Sequence, residues 1–145
     1  MYSLVTTSII QGIKSVPVYV EADVSDGMPL FEMVGFLSAE VKEAKERVRT
    51  ALKNCGILLP ANRITINFIP ANIRKTGSGF DLPVVLAILS ALGLVPAKET
   101  EEVMVVGEIS LNGDVKPVNG ILPMVAEAKE RGMKSCIVPE ENVAE

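Results

Sequence analysis

The chain predicts an α+β fold, mixed α/β in its details, with one sheet backed by helices. Three observations lead there. Period-two alternation of apolar residues recurs along the chain, as it does in strands with one buried face. Two stretches switch to the three/four spacing of helices. The order of these elements is mixed (strands, helix, strand, helix, hairpin, helix, strand), which is neither a bundle nor a strictly repeating strand–helix pattern. At 145 residues there is enough chain for one substantial core, residues 1–145 forming a single domain.

Taken in order, Leu4 to Ile10 reads as a first strand, and Val16, Val18, Val20, Ala22 and Val24 alternate through a second. Asp26-Gly27 marks the turn after it, and Leu30 to Val34 is a third short strand. Ser38 then serves as an N-cap. Val41, Ala44, Val48, Ala51, Leu52 and Cys55 follow at helical spacing, and Gly56 closes the helix. The other face carries eight charges, with Glu43–Arg47 and Lys42–Glu46 as expected pairs on a solvated surface; a basic face for a partner is the alternative. Arg63 to Ile69 alternates as a strand that Pro70 ends. A glycine-rich loop, residues 71–80, leads to Asp81, read as the cap of an apolar helix over Leu82–Leu92. Pro83 sits in its permissive first turn and Gly93 at its end. With no charge after Asp81, that helix has to be buried on most sides. Val103 to Val106 is a strand, Ile109 to Val118 a hairpin around Asn112-Gly113, residues 121–131 a helix with Val125 and Ala128 inward, and Ser135 to Val138 a last strand.

Composition excludes several functions. Hydrophobic residues make up 48% and charged residues 22%, and the formal charge is −4, so the chain as a whole is no nucleic-acid-binding polycation. There is no histidine, hence no imidazole base and no His-ligated zinc. Cys55 and Cys136 stand apart in sequence at the apolar ends of elements and are expected to be buried free thiols. The start, Met1-Tyr2-Ser3-Leu4, lacks a signal peptide's basic and apolar regions, and the longest apolar run, Leu82–Leu89, is short of the roughly 20 residues a membrane span needs. A cytoplasmic setting without membrane contact is expected. The final residues, Pro139-Glu140-Glu141-Asn142-Val143-Ala144-Glu145, resemble the opening of a new element, as in a domain taken from a longer protein.

The segment Arg74-Lys75-Thr76-Gly77-Ser78-Gly79 suggests a phosphate loop at first sight. A P-loop, however, needs glycines where this chain has Ile69 and Arg74, so no nucleotide site is assigned to it. Three blocks carry a more specific resemblance: Lys75 through Leu92, Gly107 through Leu122, and Gly132 through Asn142. They are similar to the Lon protease domain, whose G-E-[IV]-[ST]-L-x-G-x-V-x-P-[IV]-G-G-[LIV]-K run supplies a catalytic lysine. In that alignment the lysine position is Leu122 and the serine position is Gly79, at the separation the dyad keeps. The resemblance therefore implies a Lon-like scaffold with no catalytic residue of its own. Ser78 with Lys75 or Lys116 is a possible replacement pair, but shifting the serine by one residue redirects its side chain. Both lysines also stand in polar loop or hairpin contexts where they are expected to stay charged.

A further set of blocks covers nearly the whole chain. Met33-Val34-Gly35 with Val41-Lys42-Glu43-Ala44-Lys45-Glu46-Arg47-Val48-Arg49, Pro60-Ala61 with Ile64-Thr65-Ile66-Asn67, Pro70-Ala71, and Phe80-Asp81-Leu82-Pro83 come in that order. They resemble the N-terminal domain of the ComM/YifB family of magnesium-chelatase-like AAA+ ATPases. That resemblance implies the fold shared by the Lon protease domain and the second domain of a small-subunit ribosomal protein (S-five). It also implies a C-terminal module that would use ATP and Mg, assembly with itself into a hexameric ring, and DNA branch migration in competence; a porphyrin substrate does not follow. No cofactor is expected in this chain. For DNA as partner, Arg63, Arg74 and Lys75 are the candidate phosphate contacts. The six aromatic residues are too dispersed for a stacking platform. Two other readings compete: a protein-interaction adaptor working without DNA, and a serine–lysine peptidase.

Overall fold

Gly12 and Ile13 make the two-residue turn on which the sheet is founded, Gly12 taking the positive φ of 67° that the tight connection requires. In the computed structural model, which describes residues 1–145, this turn joins β1 (Tyr2–Gln11) to β2 (Lys14–Ser25) in an antiparallel pair running from Gln11↔Lys14 to Tyr2↔Asp23. β3 (Leu30–Val34), the helices α1 (Ala39–Lys42) and α2 (Ala44–Asn54), and β4 (Arg63–Ile69) follow. After α3 (Asp81–Ala91) come β5 (Val103–Val105), the small hairpin β6 (Glu108–Ile109) and β7 (Val115–Lys116), α4 (Ile121–Glu130) and β8 (Ser135–Ile137). The main sheet has the order β3-β4-β2-β1-β5-β8. Its centre is antiparallel, while β3 joins β4, β5 joins β1 and β8 joins β5 in parallel. This is the mixed sheet and helices that the sequence predicts.

Strand alternation decides which residues enter the core. Val5 and Ile9 of β1, Val18, Val20, Ala22 and Val24 of β2, and Ile64, Ile66 and Phe68 of β4 all lie on one sheet face, and all are buried. Against that face pack α2, through Val48, Ala51 and Leu52, and α3, through Val84, Ala87 and Ile88. Burying each large aliphatic side chain contributes about 1.5–3 kcal/mol, which explains why α3 tolerates no charge beyond its first residue. Ser3 Oγ donates to the Ala87 carbonyl at 2.5 Å and ties β1 to the middle of α3. β5 shows both faces at once. Val103 and Val105 join this core, whereas Met104 points the other way and meets Ile121, Met124 and Ala128 of α4 in a second, smaller one. Helices therefore cover both faces at the β5 end, and one face only at the β3 end.

The structure departs from expectation in places that have physical causes. Ser38 does cap the first helix, its Oγ accepting the Val41 N–H at 3.1 Å. The helix is divided at Glu43, however, whose carbonyl takes the Glu46 N–H at 3.1 Å in a tightened turn. Of the two expected ion pairs, Glu43–Arg47 forms at 3.8 Å; Glu46 instead meets Arg49 at 3.9 Å. Asn112-Gly113 turns as expected, on a ladder of only two pairs, Glu108↔Lys116 and Ile109↔Val115. Cys55 is exposed rather than buried because α2 ends as it emerges from the core, leaving Sγ 3.8 Å from the Asn112 carbonyl. Cys136 is partly buried, and burial pushes its thiol pKa up. No helix is long and apolar enough to cross a membrane.

Candidate functional site

The glycine-rich loop between β4 and α3 is held down by its lysine. Lys75 is fully buried. Its Nζ donates to the Gly35 carbonyl at 2.6 Å and to the Pro70 carbonyl, and its backbone bridges the segment ahead of α1 through Lys75 N–H to Phe36 O and Ser38 N–H to Lys75 O, each 2.9 Å. Gly35 can sit there only without a side chain: at φ 124° a Cβ would overlap the Phe68 carbonyl oxygen. Burial lowers the Lys75 pKa. The expectation that Lys75 is a solvated, charged loop residue reaching for phosphate is therefore corrected. Its ammonium is a peg for two main-chain carbonyls, and its hydrogen bonds go to these rather than to Ser78.

The other two candidate contacts do reach the surface. Arg74 is exposed and has no side-chain hydrogen bond or ion pair. Arg63 is half exposed and lies 3.4 Å from Glu32 across the β3–β4 pair. Arg63 opens β4, whereas the loop bearing Arg74 leaves its other end. A strand of that length spans roughly 20 Å, so the two do not share one patch.

A buried ion pair stands at the start of α3. Asp81 is fully buried and accepts from Arg47 twice, Nε to Oδ2 at 2.7 Å and Nη2 to Oδ1 at 3.0 Å. Its Oδ2 also accepts the Ile109 N–H at 3.0 Å, which locks the β6–β7 hairpin against α2 and α3. Burial pushes the Asp81 carboxyl above its ordinary range, against the pull of the Arg47 guanidinium and the Ile109 amide; the same contact raises the Arg47 pKa. Two expectations fall here. Asp81 does not cap the helix, since its oxygens are committed across the core, and Arg47 is not on a solvated face.

Above this pair lies a cleft of about 330 Å³, lined among others by Ser8, Glu40, Ser78, Gly79, Glu108 and Asn119. Glu40 Oε1 accepts the Gly77 N–H at 2.6 Å and closes the loop over it. Ser8 is buried at its margin, and its hydroxyl has no partner. No lysine lines the cleft. At Gly79, an added Cβ would stand 2.9 Å from Val106 Cγ2 and 3.6 Å from Val118 Cγ1. Val118 is itself fixed by Asn142, which accepts its N–H at 2.9 Å and donates to its carbonyl at 3.1 Å. Leu122, on the first turn of α4, is 62% exposed and faces a different cavity of about 210 Å³ with Cys136, Val138 and Val143. The two positions where the resemblance places a serine and a lysine thus carry neither a hydroxyl nor an amine, and they border separate cavities.

Comparison with known proteins adds the following. The family described as subunit ChlI of Mg-chelatase matches residues 20–142. The uncharacterised protein YifB of Escherichia coli is 39% identical over 140 residues, 97% of this chain and 28% of YifB. The competence protein ComM of Haemophilus influenzae is 36% identical over 134 residues, 92% of this chain and 26% of ComM. Lon protease 2 of Bacillus subtilis is 39% identical over 101 residues, 70% of this chain and 18% of the protease. The chain spans little more than a quarter of the length of its YifB and ComM relatives.

Proposed function

Since the chain belongs to the family of subunit ChlI of Mg-chelatase, with YifB and ComM among its relatives, we propose that it is a non-catalytic, Lon-like accessory domain of an ATP-driven protein. In this reading the domain works in the cytoplasm, helps the whole protein assemble into a hexameric ring, and guides DNA for a motor that hydrolyses ATP with Mg. The observation that carries it is the pair Gly79 and Leu122. A serine side chain at 79 has to displace Val106, and position 122 presents an aliphatic group to a different cavity. The relative called a competence protein supports the DNA role, as does the exposed, unpaired Arg74. Arg63 is the second contact, once DNA competes with Glu32 for it, and Lys75 contributes no contact.

The test uses the protein encoded by the intact gene, with and without residues 1–145. DNA-stimulated ATP hydrolysis and strand exchange on branched DNA are measured for both, beside casein cleavage. The expected result is ATP hydrolysis in both forms, ring assembly and strand exchange only with residues 1–145 present, and no cleavage in either. Full strand exchange without this domain, or casein cleavage that depends on Ser78, would refute the reading.

A further inference from the structure

The β3 side of the sheet combines a free strand edge with recesses and a row of cations. β3 is the last strand in the order, and no main-chain hydrogen bond joins Leu30–Val34 to anything but β4. Half of its amides and carbonyls therefore point outward with only water to bond. Two recesses lie end to end along this edge and meet at Phe31. One, of about 460 Å³, is walled by Leu30, Ile57, Leu58 and Leu59, with Arg49 and Lys53 above. The other, of about 290 Å³, lies between Phe31, Met33, Val34 and the cations Lys42 and Lys45.

The four cations come from α1 and α2 and stand in a row over the edge. Lys42, Lys45 and Lys53 take part in no ion pair, while Arg49 lies over the Phe31 ring at 5.7 Å and only 3.9 Å from Glu46. Apolar side chains are exposed along the same edge: Leu30 at 41%, Val34 at 48% and Leu58 at 81%. An unpaired strand edge suits the addition of a strand from a partner, and a line of positive charge beside it suits an acidic one.

We propose that β3 is a docking edge for an extended acidic peptide segment, about five to seven residues alternating Asp or Glu with Val, Ile or Leu, which joins the sheet as a seventh strand. Its main chain pairs with Leu30–Val34. Its carboxylates enter the two recesses on the helix side and meet Lys42, Lys45, Arg49 and Lys53, and its apolar side chains lie on the other face of the sheet, beside the exposed Leu30 and Val34. Duplex DNA fits this edge less well. It has no strand to pair with the free amides and no apolar side chains to lie beside Leu30 and Val34. The edge is away from Gly79, but Arg63 lies beside Leu30 and the loop bearing Arg74 returns beside Phe36, so the peptide and duplex-DNA arms of the test separate this proposal from the DNA reading.

The probes are fluorescein-labelled Asp-Val-Glu-Ile-Glu-Val-Asp and its counterpart with lysine at every acidic position, read by fluorescence anisotropy with this chain at low and high salt. The acidic peptide is expected to bind, to weaken with salt, and to shift the amide resonances of Leu30–Val34. Lys42→Glu with Lys45→Glu is expected to weaken it about tenfold while leaving the circular dichroism and melting temperature in place. Arg49→Glu with Lys53→Glu is the independent second variant. N-methylation of alternate amides in the peptide should abolish binding. The proposal is overturned if the lysine peptide binds as tightly, if both charge-reversed variants bind like wild type, or if duplex DNA alone occupies these cations.

Discussion

Arg47→Met leaves the Asp81 carboxylate buried without its counter-ion, and the structure allows the cost to be worked out. Asp81 is fully buried, and two of its three hydrogen bonds come from Arg47, at 2.7 and 3.0 Å. Removing one partner of a buried pair costs about 3–5 kcal/mol. The Arg47 side chain is 24% exposed, so water entering the vacated space offsets part of that; we expect a loss of about 2–4 kcal/mol at neutral pH. The pH dependence has a definite sign. Burial already raises the Asp81 pKa, and loss of the guanidinium raises it further. The folded state then binds a proton that the unfolded state releases, so stability falls as pH rises through the window above the ordinary carboxylate range. The deficit of the variant should therefore be smaller at mildly acidic pH than at pH 7. Arg47→Met with Asp81→Leu removes both charges and leaves chiefly the Ile109 N–H unpaired, about 1–3 kcal/mol. Urea unfolding of wild type, both single variants and the double variant gives the coupling, expected at about 2–3 kcal/mol with unchanged m values. A coupling indistinguishable from zero, or a deficit that grows towards acid, would refute the assignment of this pair as a buried clamp.

Three further outcomes can be checked. Lys75→Met orphans the Gly35 and Pro70 carbonyls and should lower stability by about 2–4 kcal/mol in thermal unfolding, without altering any salt-sensitive DNA affinity. Gly79→Ser forces a Cβ against Val106 and should cost about 1–3 kcal/mol, recovered in part by Val106→Ala and measured by melting temperature. At mildly alkaline pH a thiol reagent should modify the exposed Cys55 quickly and Cys136, whose thiol pKa is raised by burial, slowly; Cys55→Ser should remove the fast phase.

The elements of the fold were legible because their signal is local. Alternation through Val16–Val24 and Arg63–Ile69 reports one buried face directly, and the uninterrupted apolar run after Asp81 reports a helix surrounded by core. Side chains whose meaning depends on distant main chain were not. Lys75 in a polar, glycine-rich loop looks solvated, and the carbonyls that bury it belong to Gly35 and Pro70, which carry no mark of an acceptor in sequence. Arg47 and Asp81 are joined only once α2 and α3 pack on the same face of the sheet. Before that, the nearer Glu43 is the natural partner for Arg47 and a helix cap the natural task for Asp81. At the candidate site, the glycine and leucine at positions 79 and 122 were legible by resemblance, while the steric reason in Val106 and the separation into two cavities required coordinates. The cation row over β3 was half visible as the basic side of a helix. That it lies along an unpaired strand follows from topology alone.

The strand order also has a temporal side. β1 and β2 are neighbours in sequence across two residues, so their ladder closes almost without loop entropy, and β4 adds to it from a moderate distance. β5 joins β1 in parallel only after most of the chain has been made, and β3 and β8 pair only with β4 and β5, so both margins wait for a neighbour that is itself added to the central pair. Growth from the middle outward leaves the margins as the cheapest strands to release. In hydrogen exchange, the amides of Leu30–Val34 should open well before those of Val18–Val24, and a bound strand on β3 should slow that first opening more than any other.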